Sequence, residues 1–221
     1  MEQALHEHIF GLNDYFVIIL DYIGTLAFAI SGIRLASAKN FDLFGAFVVG
    51  LATAIGGGTI RDMMLGVPIF WMQNPIYFAI TFVALILVWR LQRHVVRRNN
   101  TWFLFDTLGL GMFAVIGIEK ALAAGQPMWV AIIMGTLTGA GGGVIRDVFL
   151  NEIPLIFRAE IYALACVHGG VAFWLCRLAH LHPITCGFAC ATSVIITRLL
   201  AVKFRLHLPI LHGDENSEFP A

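Results

Sequence analysis

The chain has 221 residues, 59% of them apolar and 13% charged, with a formal net charge of zero and a mean hydropathy of +0.82. A soluble domain is roughly half apolar and about a quarter charged, so much of this chain must be covered by lipid. The balanced charge, with basic residues gathered at the ends of apolar runs, excludes a nucleic-acid partner.

Residues 1–14 carry Glu2, Glu7 and Asp14 but no Lys or Arg. They lack the basic stretch of a cleaved secretory signal, so the first apolar helix is expected to be retained behind a short external segment. Seven apolar runs near the roughly 20 residues that span hydrocarbon follow. They cover 15–36, 43–65, 76–91, 102–124, 128–150, 161–179 and 183–202, the third being short. The chain therefore divides into an external segment (1–14), a first three-helix unit (15–92), a basic connector (93–101), a second unit (102–179), a seventh helix (183–203) and a tail (204–221).

Lys and Arg concentrate on the cytoplasmic side of membrane proteins. The strongest basic cluster, Arg90, Arg93, Arg97 and Arg98, puts the third connector inside. Alternation then places Arg34 and Lys39, Arg158, and the C-terminal Arg198, Lys203 and Arg205 inside as well, with the N-terminus outside.

Laying Asp21 on Asp106 aligns the stretch through Leu65 with the stretch through Leu150 without a gap, with 18 identities in 45 positions. Gly24, Gly32 and Gly50 fall on Gly109, Gly117 and Gly135, and the Gly-Gly-Gly-x-x-Arg-Asp segment ending at Asp62 falls on the one ending at Asp147. With one residue inserted beyond it, Pro68 meets Pro154. Three spans per unit is an odd number, so the two copies are expected to be inverted in the membrane.

Gly56, Gly57 and Gly58, matched by Gly141, Gly142 and Gly143, are the candidate permeation or binding site, together with Thr53 and Thr138. Glycine weakens a helix by about 1 kcal/mol relative to Ala, so helices 2 and 5 are expected to kink or break there. Opened main chain at bilayer depth lines a watery cavity or is buried in protein. The alternative is that the small residues merely let helices approach closely.

Arg61, Asp62, Arg146 and Asp147 lie inside spans, where ionisable side chains need partners or water. Neighbouring residues point about 100° apart on a helix and do not fully satisfy each other. The expected partners are Asp21 for Arg61 at one side and Asp106 for Arg146 at the other, serving as pegs or gates. Glu119 and Lys120 read as interfacial residues reaching headgroups. Cys166, Cys176, Cys186 and Cys190 lie within apolar runs without metal or redox spacing and read as small apolar filler. His168 beside Gly169 reads as a helix contact. No nucleophile elbow, P-loop, metal-ligand cluster or catalytic carboxylate pair appears, so neither an enzyme, a cofactor nor a bound metal is expected, apart from a monovalent cation at the glycine backbone.

The doubled triplet, the Asp-x-x-Gly opening of each repeat and Phe28-Ala-Ile-Ser-Gly32 resemble the bacterial inner-membrane family UPF0126 from about Asp14 to His207. That family is related to the trimeric intracellular cation (TRIC) channels. The resemblance implies an all-α membrane protein of three plus three inverted helices and a seventh, assembled as a homotrimer in membrane lipid. It also implies a potassium-permeable pathway in each protomer, with helices 2 and 5 kinked and crossing at the triplets. Some members are instead described as glycine transporters. The lysine-glutamate-valine lipid motif of the eukaryotic channels is not intact, since Glu119-Lys120 has the reverse order. A channel for potassium or another monovalent cation is therefore the first expectation. A glycine carrier, in which Arg61 or Arg146 grips a carboxylate, is the second. A structural scaffold ranks last.

Overall fold

A computed structural model describes residues 2–91, 101–158 and 161–209, with side chains from Tyr15 on. The basic connector's Arg93, Arg97 and Arg98, and the tail from 210, lie outside the described residues. Among the described residues the chain forms eight α-helices and one 3₁₀ turn. These are α1 (Glu2–Ala38), α2 (Leu43–Leu65), the short α3 (Phe70–Gln73), α4 (Ile76–Arg90), α5 (Thr101–Ala123), α6 (Met128–Phe149), the turn Leu155–Phe157, α7 (Ala163–Leu178) and α8 (Pro183–Phe204).

Five stretches are long and apolar enough to cross a membrane: Tyr15–Ala38, Leu43–Leu65, Thr101–Ala123, Met128–Phe149 and Pro183–Phe204. Helices α4 and α7 are apolar as well but shorter. The large apolar side chains left on the outside, such as Phe44, Phe82, Trp129, Leu175 and Phe188, suit a lipid environment rather than water. Helical backbone begins at Glu2, well before the first apolar run.

Local chemistry sets the ends. Asp42 accepts a hydrogen bond from the Gly45 amide (2.6 Å) and caps α2. Pro183 opens α8, where its missing N–H is no loss. Helices α2 and α6 stop in the same way at matching positions of the repeat: Gly66 (φ 66°) and Asn151 (φ 53°) adopt the left-handed conformation. The Val67 amide then returns to the Asp62 carbonyl (3.1 Å) and the Glu152 amide to the Asp147 carbonyl (2.9 Å).

Matched glycines let the helices of each half meet closely. A Cβ on Gly32 would lie 3.0 Å from the Gly50 Cα, joining α1 to α2, and one on Gly117 would lie 2.6 Å from the Gly135 Cα, joining α5 to α6. The halves join through α1 against α5, where the Phe28 ring fills the notch above Gly109, and through α2 against α6. In lipid, where helices gain little from apolar burial against one another, such close backbone approach is a main source of association.

Candidate functional site

The last two turns of α2 and α6 each carry a buried Arg-Asp pair, and each pair ties down the connector that follows it. Arg61 Nε donates to Asp62 Oδ1 (2.8 Å), whose Oδ2 accepts from the Phe70 amide (3.0 Å). Arg146 Nε donates to Asp147 Oδ1 (2.9 Å), whose Oδ2 accepts from the Leu155 amide (3.0 Å). The aspartates thus act as anchors for backbone amides eight residues downstream, and the adjacent arginine does pair with its neighbour, because its long side chain folds back where the short aspartate cannot.

The two ends differ in what surrounds these pairs. Arg146 is fully buried and forms an ion pair with Asp106, a hydrogen bond to Ser31 Oγ (3.0 Å) and a contact over the Trp102 ring (5.8 Å). Tyr162 reaches the same Asp106 oxygen at 3.5 Å, and the Arg198 guanidinium lies over the Tyr162 ring at 4.9 Å. At the other end, the expected Asp21 to Arg61 ion pair is not formed. Arg61 is committed to Asp62 (2.6 Å) and to the Phe70 ring (5.6 Å), while Asp21 accepts a hydrogen bond from Tyr77 Oη (2.6 Å). The physical reason is competition: the phenol on α4 reaches Asp21 first, and the neighbouring aspartate occupies the guanidinium.

Lys120 also departs from expectation. Its ammonium turns over the Phe70 ring at 5.1 Å instead of extending toward headgroups, so one ring faces two cations, Arg61 and Lys120.

Between the two ends lie the triplets, and they do not break their helices. The α2 backbone is helical from Leu43 through Leu65 and that of α6 from Met128 through Phe149. A Cβ on Gly57 would overlap the Thr138 carbonyl oxygen, and one on Gly142 would overlap the Thr53 carbonyl oxygen. Each central glycine therefore receives the other helix's carbonyl, a reciprocal contact of the Cα–H···O kind. The hydroxyls of Thr53 and Thr138 fold back onto the Val49 and Met134 carbonyls of their own helices (both 2.6 Å). The flanking glycines face other neighbours. A Cβ on Gly56 would meet Ile145, one on Gly58 would meet Phe70, one on Gly141 would meet Gly57 and one on Gly143 would meet Tyr162. Close packing, not opened main chain, is what the six glycines provide, four of them at the α2–α6 crossing and Gly58 and Gly143 beneath Phe70 and Tyr162, because the i→i−4 ladder survives glycine when its neighbours shield it from water.

A cavity of about 430 Å³ lies away from the charges, lined by Ile60, Ile133, Ala140, Gly141, Ile156 and Val167 among others. Its one hydroxyl, on Thr136, is spent on the Ile132 carbonyl (2.9 Å), so it is not a hydrophilic passage. His168 links α7 to α8 through Thr197 Oγ1 (2.8 Å), as a helix contact would.

Tyr77 and Tyr162 were not singled out from the sequence, yet each phenol meets the repeat's leading aspartate. The offset that lays Asp21 on Asp106 also lays Tyr77 on Tyr162 and Phe70 on Leu155. No residue is inserted between the copies through Tyr77 and Tyr162, so the register that matched Pro68 with Pro154 is corrected. Extending the ungapped alignment would have found the pair.

The family model described as Glycine transporter matches residues 18–93 and 103–177. The UPF0126 inner membrane protein YadS of Escherichia coli strain K12 is 42% identical over 201 residues, covering 89% of this chain and 97% of that protein. A UPF0126 membrane protein of Vibrio cholerae is 39% identical over 209 residues, covering 90% of this chain and 84% of its own. Among solved structures, the TRIC trimeric intracellular cation channel orthologue from Rhodobacter sphaeroides superposes with a TM-score of 0.81 at 32% identity, covering 86% of this chain and 98% of that one. With a membrane-length helical fold, a duplicated buried Arg-Asp site and relatives matched over most of their length, the chain belongs to the UPF0126 membrane-protein family and shares its fold with a TRIC channel orthologue.

Proposed function

We propose that the chain carries a monovalent cation, potassium in the first place, along a pathway inside each protomer of a homotrimer. The observation that carries this reading is a buried Arg-Asp cluster on either side of a crossing sealed by threonine carbonyls seated against glycines. Ionisable side chains inside spans are rare and, even when paired, mark ion and substrate routes. The likeness to channels named for cation conduction supports it.

In this reading α1, α2 and α4 form one three-span unit, α5, α6 and α7 its inverted copy, and α8 the seventh span. The N-terminus lies outside and the C-terminus in the cytoplasm, so Asp21 sits at the external end of the route and Asp106 at the cytoplasmic end. The described state is the closed one. Bending of α2 and α6 at Gly56 to Gly58 and Gly141 to Gly143 parts the crossing and presents the Thr53 and Thr138 carbonyls to the ion, which replace part of its hydration shell.

The second reading, carriage of glycine, is favoured by the family's description. It ranks second because Arg61 and Arg146 would each have to release an aspartate to grip a substrate carboxylate. Protein reconstituted into liposomes and assayed in parallel for potassium flux and labelled glycine uptake tests both. Potassium conductance without saturable glycine uptake is expected; saturable uptake with no conductance would reverse the order.

A further inference from the structure

Only 8% of the surface of Asp21 is open, and among the described residues no cation lies within ion-pair distance of it. Lys120 and Arg61 act on it only at longer electrostatic range. Its one strong partner is the neutral Tyr77 hydroxyl (2.6 Å). One turn deeper on α1, Thr25 is fully buried and its Oγ1 has no hydrogen-bond partner. The orphaned hydroxyl departs from the rule that buried polar groups are satisfied, and one turn away stands a buried carboxylate with a hydrogen bond but, among the described residues, no ion-pair partner.

The two groups share one seam. Asp21 bonds Tyr77, and the Tyr22 ring packs edge-on against the same tyrosine (6.0 Å between centroids). Thr25 stands four residues from Asp21 and three from Tyr22, which puts it on the face of α1 that carries both. One turn beyond Tyr77 on α4, the fully buried Thr81 donates to the Tyr77 carbonyl (2.9 Å) and keeps its oxygen lone pairs available. Ala29 and Ala84, the next turn along α1 and α4, are both fully buried.

The second half also has unpartnered buried oxygens, Asp106 Oδ2 and Thr107 Oγ1, but its leading aspartate is ion-paired and the threonine positions are not the same. At the positions of the second copy that match Thr25 and Thr81 stand Leu110 and Cys166, and the Arg146 guanidinium already holds Asp106. The hydroxyls are therefore not a by-product of the duplication.

We propose that Asp21, Tyr77 and Thr25, with Thr81 behind them, form a binding site for one small monovalent cation, either an alkali ion or the ammonium end of an amino acid. A carboxylate with neutral hydroxyl oxygens around it supplies one negative charge and several ligand oxygens, which suits a singly charged ion. The site rests on the transport reading for its use, but its occupancy can be measured without transport.

The test follows the unfolding temperature of the purified full chain in detergent while N-methylglucamine chloride is replaced by potassium chloride at constant ionic strength, with a parallel titration of glycine. Saturable stabilisation by potassium points to the alkali ion, and by glycine alone to the ammonium group. In Asp21→Asn the half-saturating concentration should rise about tenfold or more, and in Thr25→Val severalfold, while Thr107→Val, which removes a buried hydroxyl from the other half, leaves it unchanged. Thr25→Val deletes only an unpartnered hydroxyl and should fold at least as well as the parent, so it decides the matter if Asp21→Asn does not fold. No saturable stabilisation by either ligand, or the same half-saturation in the parent, Asp21→Asn and Thr25→Val, overturns the site. Liposome flux separates the two claims: flux with an unaltered binding curve in the variants sinks the site alone, and variant-sensitive binding without any flux sinks the transport reading alone.

Discussion

Replacing Gly57 by Ala puts one methyl group into the α2–α6 crossing. In a helix with open space beside Gly57 the change would stabilise the chain by about 1 kcal/mol, because Ala is the better helix former. In the observed crossing the methyl overlaps the Thr138 carbonyl oxygen, and its next neighbours, the Thr138 carbonyl carbon at 3.0 Å and the Gly142 amide nitrogen at 3.1 Å, are also backbone. None is a flexible side chain that can swing away, so the two helices must separate, and overpacking of that kind costs about 1–3 kcal/mol or more. With backbone on both sides the cost lies at the upper end, about 2–3 kcal/mol, so after a propensity gain of about 1 kcal/mol a net loss of about 1–2 kcal/mol is expected, or roughly 2–8 °C in unfolding temperature for a chain of this length. Gly142→Ala meets the Thr53 carbonyl in the same way and should match it. Gly141→Ala is the control, since its Cβ would find the Gly57 Cα at 3.3 Å and then nothing nearer than Ile60 at 3.9 Å. The assay is thermal unfolding of the three variants in one detergent, read by circular dichroism. Gly57→Ala and Gly142→Ala as stable as Gly141→Ala, or more stable than the parent, would refute the close crossing and restore an opened helix.

Tyr77→Phe removes a 2.6 Å hydrogen bond to a buried carboxylate and should cost about 1.5–3 kcal/mol in chemical denaturation, whereas Tyr162→Phe loses a 3.5 Å contact and should cost less than about 1 kcal/mol. Arg146→Met leaves Asp106 and Asp147 without their cation and is expected to destabilise by about 3–5 kcal/mol, with part recovered by Asp106→Asn in the same chain, measured as folded protein in detergent. Exchanging the charges of Asp21 and Arg61 should give no rescue in a double-mutant cycle, because the two do not pair. Outside the spans, Lys39 hydrogen-bonds Glu152 (2.5 Å) and holds its carboxyl below the usual carboxylate range. A depressed acid stabilises the fold above its unfolded value, about 4.3, and loses that contribution as pH falls through the folded value. The stability difference between the parent and Glu152→Gln should therefore be flat from about pH 8 to 5 and shrink progressively as pH falls below the unfolded value of about 4.3.

Much of this was legible in the residues. Apolar runs near span length located the helices, because lipid admits only segments whose backbone bonds are met internally. The internal repeat located both Arg-Asp pairs and both glycine crossings, because duplicated chemistry leaves identical residues at a fixed spacing. The side-chain partners were not legible, since they depend on which helix stands opposite. That Tyr77 rather than Arg61 meets Asp21, that Lys120 turns over Phe70, and that Arg146 gathers Asp106 and Ser31 follow from how α4, α5 and α1 sit against α2 and α6. The triplets mark the boundary most clearly. Composition says that the helices are weak at those positions. Only the arrival of a second backbone, shielding the first from water and placing its carbonyl against the missing side chain, decides that they remain helical.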